Sequence, residues 1–116
     1  MKFIAGMVLV ALAMAGGAYF LQQESSGPTT KEYYLVVSNK KLAGPTTLTA
    51  GQGDTVVLQV TADEAEEFHL HGYDRVLDLQ PGVQSTLTLT ANMSGRFVFE
   101  LEHSKTELGA LEVYPR

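Results

Sequence analysis

The part of the chain after residue 32 consists of short β-rich segments separated by turn signals. Residues 83–90 alternate apolar and polar side chains, which is the period-2 pattern of a strand with one buried face. Phe97, Phe99 and Leu101 repeat this pattern, and Pro81-Gly82 fits the central positions of a type II turn. Segments of this spacing predict an all-β fold, a small Greek-key β-sandwich. The predicted strands are 33–37, 46–49, 55–61, 66–71, 76–79, 83–90, 97–102 and 110–114.

An uncharged, largely apolar run over residues 3–21 follows Lys2. About 20 such residues cross a bilayer as a helix, and the run continues to Leu21, which favours an uncleaved anchor with Lys2 retained inside. A cleaved signal peptide is the alternative, with Ala13-Met14-Ala15 as its small-x-small site. We therefore predict a signal anchor or signal peptide over 1–21, a flexible linker over 22–31 and a folded domain over 32–116. The domain would be periplasmic or otherwise extracytoplasmic, tethered to the inner membrane, or secreted after cleavage.

Charge and cysteine content exclude several functions. The net charge is −5, and no basic patch or glycine-rich phosphate loop occurs, so nucleic-acid binding is not expected. The absence of cysteine removes disulfides, thiolate nucleophiles, iron–sulfur clusters and the thiolate of a blue-copper site. Serine, histidine and aspartate occur without a nucleophile motif such as Gly-x-Ser-x-Gly, and we predict that the chain is not an enzyme.

Two of the three histidines, His69 and His71, are spaced i and i+2 in a predicted strand. This spacing puts both imidazoles on one face of the strand, with Phe68 and Leu70 on the other. The third, His103, lies near the end of another predicted strand. The set is a candidate metal site, and the alternative is surface histidines hydrogen-bonded to neighbouring carboxylates. The acidic residues around the pair are expected to form a solvated loop; they are Asp63, Glu64, Glu66 and Glu67.

Five motifs, in this order and spacing, resemble those of the cupredoxin family. They are residues 48–56 (LTAGQGDTV), 67–69 (EFH), 81–82 (PG), 95–103 (GRFVFELEH) and 109–113 (GALEV). The resemblance covers about residues 33–114 and implies a cupredoxin-like β-sandwich. The exported part resembles the cupredoxin-like domains that an N-terminal anchor or signal attaches to bacterial envelopes. A second, local resemblance is that of residues 68–72 (FHLHG) to the His-x-His-Gly copper motif of multicopper oxidases.

Carried over residue by residue, the resemblance implies an incomplete blue-copper ligand set. The early histidine ligand falls on His69 and the later one on His103, but the cysteine falls on Leu101. The methionine ligand falls on Glu107 or Leu108, and neither is a thioether. The resemblance therefore implies a copper site without intense blue colour.

We predict an exported, membrane-anchored cupredoxin-like protein that binds copper through His69, His71 and His103 and handles copper in the cell envelope. Cu(II) favours such nitrogen and oxygen donors, and Zn(II) accepts them too. Glu102, Glu107 and Asp74 are candidate oxygen donors. The alternative is a metal-free β-sandwich that acts as an interaction module with an envelope protein partner. Transient electron transfer is a third reading.

Overall fold

The structure is a computed structural model that describes residues 27–116. The anchor or signal peptide predicted over residues 1–21 lies outside the described residues, and so does the linker up to residue 26. Within residues 27–116 no helix has the length and apolar character needed to cross a membrane.

The described residues form nine strands in two sheets, which confirms the predicted all-β sandwich. The strands are β1 (Thr30–Ser38), β2 (Lys41–Leu42), β3 (Thr47–Gly51), β4 (Thr55–Ala62), β5 (Glu66–Leu70), β6 (Arg75–Leu79), β7 (Ser85–Thr90), β8 (Gly95–Leu101) and β9 (Thr106–Tyr114). One sheet has the order β3-β9-β8-β5-β6 and the other the order β2-β1-β4-β7.

Neighbouring strands are mostly antiparallel, but each sheet contains one parallel pair. These pairs are β1 with β4, in register from Thr30↔Thr55, and β9 with β3, in register from Ala110↔Thr47. Parallel neighbours cannot be joined by a tight hairpin, so the chain passes to the other sheet between the members of each pair. In the five-stranded sheet β5 lies between β6 and β8, which gives the strand of the histidine pair a neighbour on each side.

The core lies between the sheets and is filled by alternate residues of the central strands. Phe68 and Phe99 are fully buried, with ring centroids 5.2 Å apart. Leu58 of β4 is also fully buried and belongs to the same core cluster as these rings. Burying each such side chain stabilises the fold by ~1.5–3 kcal/mol, so these strands are held in a fixed register by the core.

The observed strands differ from the predicted ones at several ends, for local reasons. β1 begins at Thr30, within the predicted linker, because its first residues pair with β4 from Thr55 onward. Val83 was predicted to begin a strand, but it belongs to a turn in which its N–H donates to the Gln80 carbonyl at 3.1 Å. Gly82 in that turn has φ of +75°, as the predicted type II turn requires. The short β2 was not predicted.

β9 begins at Thr106 rather than at residue 110, and its register with β8 shifts between Glu107 and Gly109. A Cβ at Gly109 would overlap the carbonyl oxygen of Thr46. The bulge therefore needs glycine because another backbone approaches it closely.

A buried carboxylate joins three distant parts of the chain. Asp54 is fully buried in the turn before β4, and it accepts hydrogen bonds at 2.8 Å from the N–H groups of Thr29 and Gly51. The Arg116 guanidinium donates to the same carboxylate at 2.7 Å. Burial raises the pKa of Asp54, but the hydrogen bonds and Arg116 outweigh it and lower the pKa to about 2. The group is therefore ionised in the folded protein at neutral pH.

Candidate metal centre

The histidine pair lies on the outer face of the five-stranded sheet. Phe68 and Leu70 of β5 point into the core, whereas His69 and His71 point away from it. The two ring centroids are 4.2 Å apart. The i, i+2 spacing thus places both rings side by side, because alternate residues of a strand share a face.

Strand β8 brings two carboxylates to the pair. Its register with β5 aligns Glu100 with His69, and the ladder continues through the Glu102 N–H, which donates to the Glu67 carbonyl at 2.8 Å. The side chains then pair diagonally. His69 Nδ1 lies 2.6 Å from Glu102 Oε2, and His71 Nε2 lies 2.7 Å from Glu100 Oε1. Each ring is therefore oriented by a carboxylate from the neighbouring strand.

The electrostatics of the site favour an ionised Glu102. The hydrogen bond from His69 is the largest influence and lowers the pKa of this carboxyl group, partial burial opposes it, and Lys105 and His71 add to the lowering. Lys105 Nζ lies 3.8 Å from Glu102 Oε1. An ionised carboxylate beside two imidazoles is a donor set suited to a cation.

Three donor atoms, one each from His69, His71 and Glu102, lie within 4.8 Å of one another. Two ligands on opposite sides of one ion, each bound at ~2.1 Å, would be ~4.2 Å apart. Glu102 Oε2 lies 2.6 Å from His69 Nδ1 and 3.8 Å from His71 Nε2, both inside this limit. The side chains are only partly buried, so small rotamer adjustments could seat an ion. We call these three residues the metal cradle.

His103 is not in the metal cradle. Its N–H donates to Glu66 Oε1 at 3.0 Å, and its ring Nδ1 lies 3.9 Å from the same oxygen. Continuing the register of β5 and β8 places residue 103 opposite Glu66, three residues or ~10 Å along the strand from His69. The predicted ligand set with His103 stays a prediction, and the geometry puts Glu102 in the third place.

The other predicted oxygen donors lie at the margins. Asp74 Oδ1 is 3.8 Å from His69 Nε2 on a side chain that is 88% exposed. Glu107 is exposed on β9 and lines a groove that also contains His71. Sequence reasoning missed Glu100. The signal was present, because Glu100 and Glu102 have the same i, i+2 spacing as the histidines.

The expectation that all the nearby acidic residues are solvated is wrong for Glu66. This residue is 6% exposed, and its carboxylate accepts hydrogen bonds from the N–H groups of Glu67 and His103 and from Ser104. Burial raises the pKa of Glu66, but these hydrogen bonds outweigh it and lower the pKa. Glu66 therefore has a structural role, because its hydrogen bonds fix the backbone at His103 and Ser104, directly after β8.

The glycine of the His-x-His-Gly motif shapes the end of β5. Gly72 has φ of +90°, and a Cβ there would overlap the Phe97 ring. Tyr73 packs edge-on against Phe97, with centroids 4.7 Å apart, and its hydroxyl donates to the Met93 carbonyl at 2.7 Å. Aromatic packing thus holds the turn that follows His71 and so fixes the position of the His71 backbone at the end of the strand.

Comparison with solved structures identifies the fold. The chain is similar to a laccase from Botrytis aclada (TM-score 0.62, 19% identity, 74% of this chain and 22% of that one). It is similar to a multi-copper oxidase from Pseudomonas thermotolerans (TM-score 0.62, 20% identity, 78% of this chain and 31% of that one). It is also similar to a copper nitrite reductase from Nitrosomonas europaea (TM-score 0.60, 18% identity, 75% of this chain and 42% of that one). The chain therefore spans less than half the length of each of these structures.

No family model matches the sequence, and no curated protein matches it. The structural likenesses nevertheless define the class: the folded part of the chain is a cupredoxin-like β-sandwich, as the sequence motifs predicted. More particularly, it is a cupredoxin-like domain whose sequence contains no cysteine and whose described residues include a His/His/Glu cluster that could hold a metal. Two of the similar structures are named for copper, the multi-copper oxidase and the copper nitrite reductase.

The prediction that the chain is not an enzyme is wrong. The similar structures include a laccase, a multi-copper oxidase and a copper nitrite reductase, which are enzymes. The missing nucleophile motif excluded one hydrolytic mechanism only. Its absence says nothing about the oxidase and reductase chemistry for which these similar structures are named. The missing motif was therefore not sufficient ground to predict that the chain is not an enzyme.

Proposed function

We propose that this protein binds copper at the metal cradle and handles the ion outside the cytoplasm. The observation that carries the proposal is the convergence of His69, His71 and Glu102 on the outer face of a cupredoxin-like domain. Two imidazoles and a carboxylate suit Cu(II), which favours nitrogen and oxygen donors, and Zn(II) accepts the same set. Without a thiolate ligand, a copper complex here is expected to lack intense blue absorption.

The exposure of the cradle supports a role in holding and passing on the ion. The His71 side chain is 45% exposed, so a bound ion would keep coordination positions open to solvent. A partner could then take the ion by exchanging ligands one at a time. The apolar run over residues 3–21 supports the tethered, extracytoplasmic location. Fractionation of cells that produce the full chain tests this location, and recovery in the cytosol would contradict it.

Copper titration of the full chain, followed by calorimetry and electron paramagnetic resonance, tests the proposal. We expect saturable one-to-one binding for the unaltered protein and a loss of at least 100-fold in affinity for the His69→Ala, His71→Ala double variant. Glu102→Gln should weaken binding by roughly 10–100-fold. Because the cradle excludes it, His103→Ala is the matched control and should bind normally.

Two results would overturn this ligand set. Absence of saturable binding would remove the copper function. A loss in His103→Ala as large as that in the double variant would instead restore the ligand set predicted from the sequence. Circular dichroism of each variant shows whether it remains folded.

A metal-free interaction module is the second candidate, and one observation favours it. The hydrogen bonds of His69 to Glu102 and of His71 to Glu100 give each ring a carboxylate partner without any ion. If this titration and a parallel zinc titration show no binding, these pairs are surface hydrogen bonds that stabilise the face of the sheet.

A further inference from the structure

A groove of about 480 Å³ opens beside the metal cradle. Its volume lies within the range of small-molecule sites, ~300–1,000 Å³. His71 and Glu100 line the end next to the cradle, and Gly72, Phe97 and Val98 supply apolar surface. An ion held by the cradle would therefore have a shaped space next to its open positions.

The far end of the groove carries a cation that is available to a ligand. Arg96 lines the groove, and its side chain is 57% exposed. It forms an ion pair with Glu112, but at 3.7 Å from Nε to Oε2 the contact is too long for a hydrogen bond. The guanidinium has five N–H donors in a fork that matches a carboxylate, so donors remain for an incoming anion.

The spacing of these two ends sets the size of the ligand. The His71 N–H donates to the Val98 carbonyl at 3.0 Å, so His71 is beside Val98 across the strands. Arg96 is two residues along β8 from Val98, or roughly 7 Å. Glu107 lies opposite Glu100 across β9 and β8, so these two carboxylates repel an anion on that side of the groove. Lys105, which lies 3.8 Å from Glu102, and a bound ion would supply positive charge at the cradle end. An anion is therefore best placed between the cradle and Arg96.

We propose that the groove binds a small dicarboxylate whose one carboxylate coordinates the cradle's copper ion while the other pairs with Arg96. This inference rests on the proposed function, because it needs the ion. It adds the class of ligand that completes the coordination: an organic anion of about four carbons with a carboxylate at each end.

The test compares succinate with butyrate, which has the same chain length and one carboxylate. Each is titrated into the copper-loaded full chain, and binding is followed by calorimetry and by the change in the copper electron paramagnetic resonance spectrum. We expect succinate to bind about tenfold more tightly than butyrate. Arg96→Gln should abolish this difference and leave copper affinity unchanged. Arg75→Gln, which removes an exposed arginine outside the groove, should retain it.

Each failure has its own signature. If copper binds but succinate and butyrate bind equally, or if Arg96→Gln keeps the preference, the dicarboxylate site is refuted and the copper function stands. If copper does not bind, both proposals fall. If succinate removes the ion, the resonance spectrum becomes that of free copper succinate, and the inference is refuted.

Discussion

The Asp54→Asn substitution is expected to destabilise the domain by about 2 kcal/mol at pH 7. The substitution preserves the shape of the side chain but removes the negative charge of the carboxylate that accepts hydrogen bonds from Thr29, Gly51 and Arg116. One of the two oxygens becomes an NH₂ group, which must face an N–H or the guanidinium and cannot accept from either. The loss is thus one of buried, charge-assisted hydrogen bonds.

The magnitude follows from the pKa of this carboxyl group. Folding lowers the pKa from its ordinary 3.8 to about 2, a difference of nearly two units. At ~1.36 kcal/mol per unit this corresponds to about 2 kcal/mol of preference for the ionised form in the folded state. Asp54 is fully buried, so solvent screening does not reduce this figure substantially.

The pH dependence has a defined sign. Because the folded pKa is lowered, the stabilisation by Asp54 is fully present above the ordinary value and is lost as pH falls towards about 2. The difference in stability between the unaltered protein and Asp54→Asn should therefore shrink between about pH 5 and pH 2. Near pH 2 it should approach the small difference between a neutral acid and an amide.

Urea denaturation of the full chain at several pH values measures this difference. The midpoint should fall in the variant while the slope stays unchanged, because the same surface is exposed on unfolding. Asp78→Asn changes an exposed aspartate of β6 and is the matched control, expected within ~0.5 kcal/mol of the parent. A loss that stays constant from pH 7 to pH 2, or a neutral Asp54→Asn, would refute the reasoning.

The remaining predictions concern the bulge, the chain after β8 and the cradle. Gly109→Ala should destabilise the domain by ~2–3 kcal/mol in urea denaturation, because the added Cβ would meet the backbone of Thr46. Gly82→Ala is the control: its Cβ would stand in open space, so only the positive φ should be penalised, at ~1 kcal/mol. Glu66→Gln should cost ~1–2 kcal/mol at pH 7, and the loss should diminish in acid because the folded pKa is lowered; a pH-independent loss would contradict this. Copper affinity should decrease as pH falls, since the ligands must release protons; calorimetry that finds constant affinity from pH 8 to pH 5 would contradict histidine ligation.

The strands were largely predictable because their signal is local. The alternation that continues through residues 85–90 and the pattern of Phe97, Phe99 and Leu101 depend only on which side of a pleated chain faces the core. Glycines in turns, such as Gly82, are recognised by the same local reasoning. β2 was not predicted, because a strand of two residues has no periodic signal and forms only by pairing with β1.

The site was predictable in part. The i, i+2 spacing placed His69 and His71 on one face, since that needs only one strand. Which residue joins them depends on the neighbouring strand and its register. The register pairs His69 with Glu100, and this puts Glu102 at the pair and His103 opposite Glu66.

The amino-acid sequence by itself determined that this chain forms short strands, lacks every thiolate ligand and carries two imidazoles on one strand face. Only the tertiary structure decided which carboxylates lie buried and which meet the histidines. Asp54 and Glu66 look like surface residues in the sequence, yet both are enclosed, because distant backbone N–H groups converge on them. The reason is physical: alternation is a property of one strand, whereas a site is made by the registers that a shared core imposes on several.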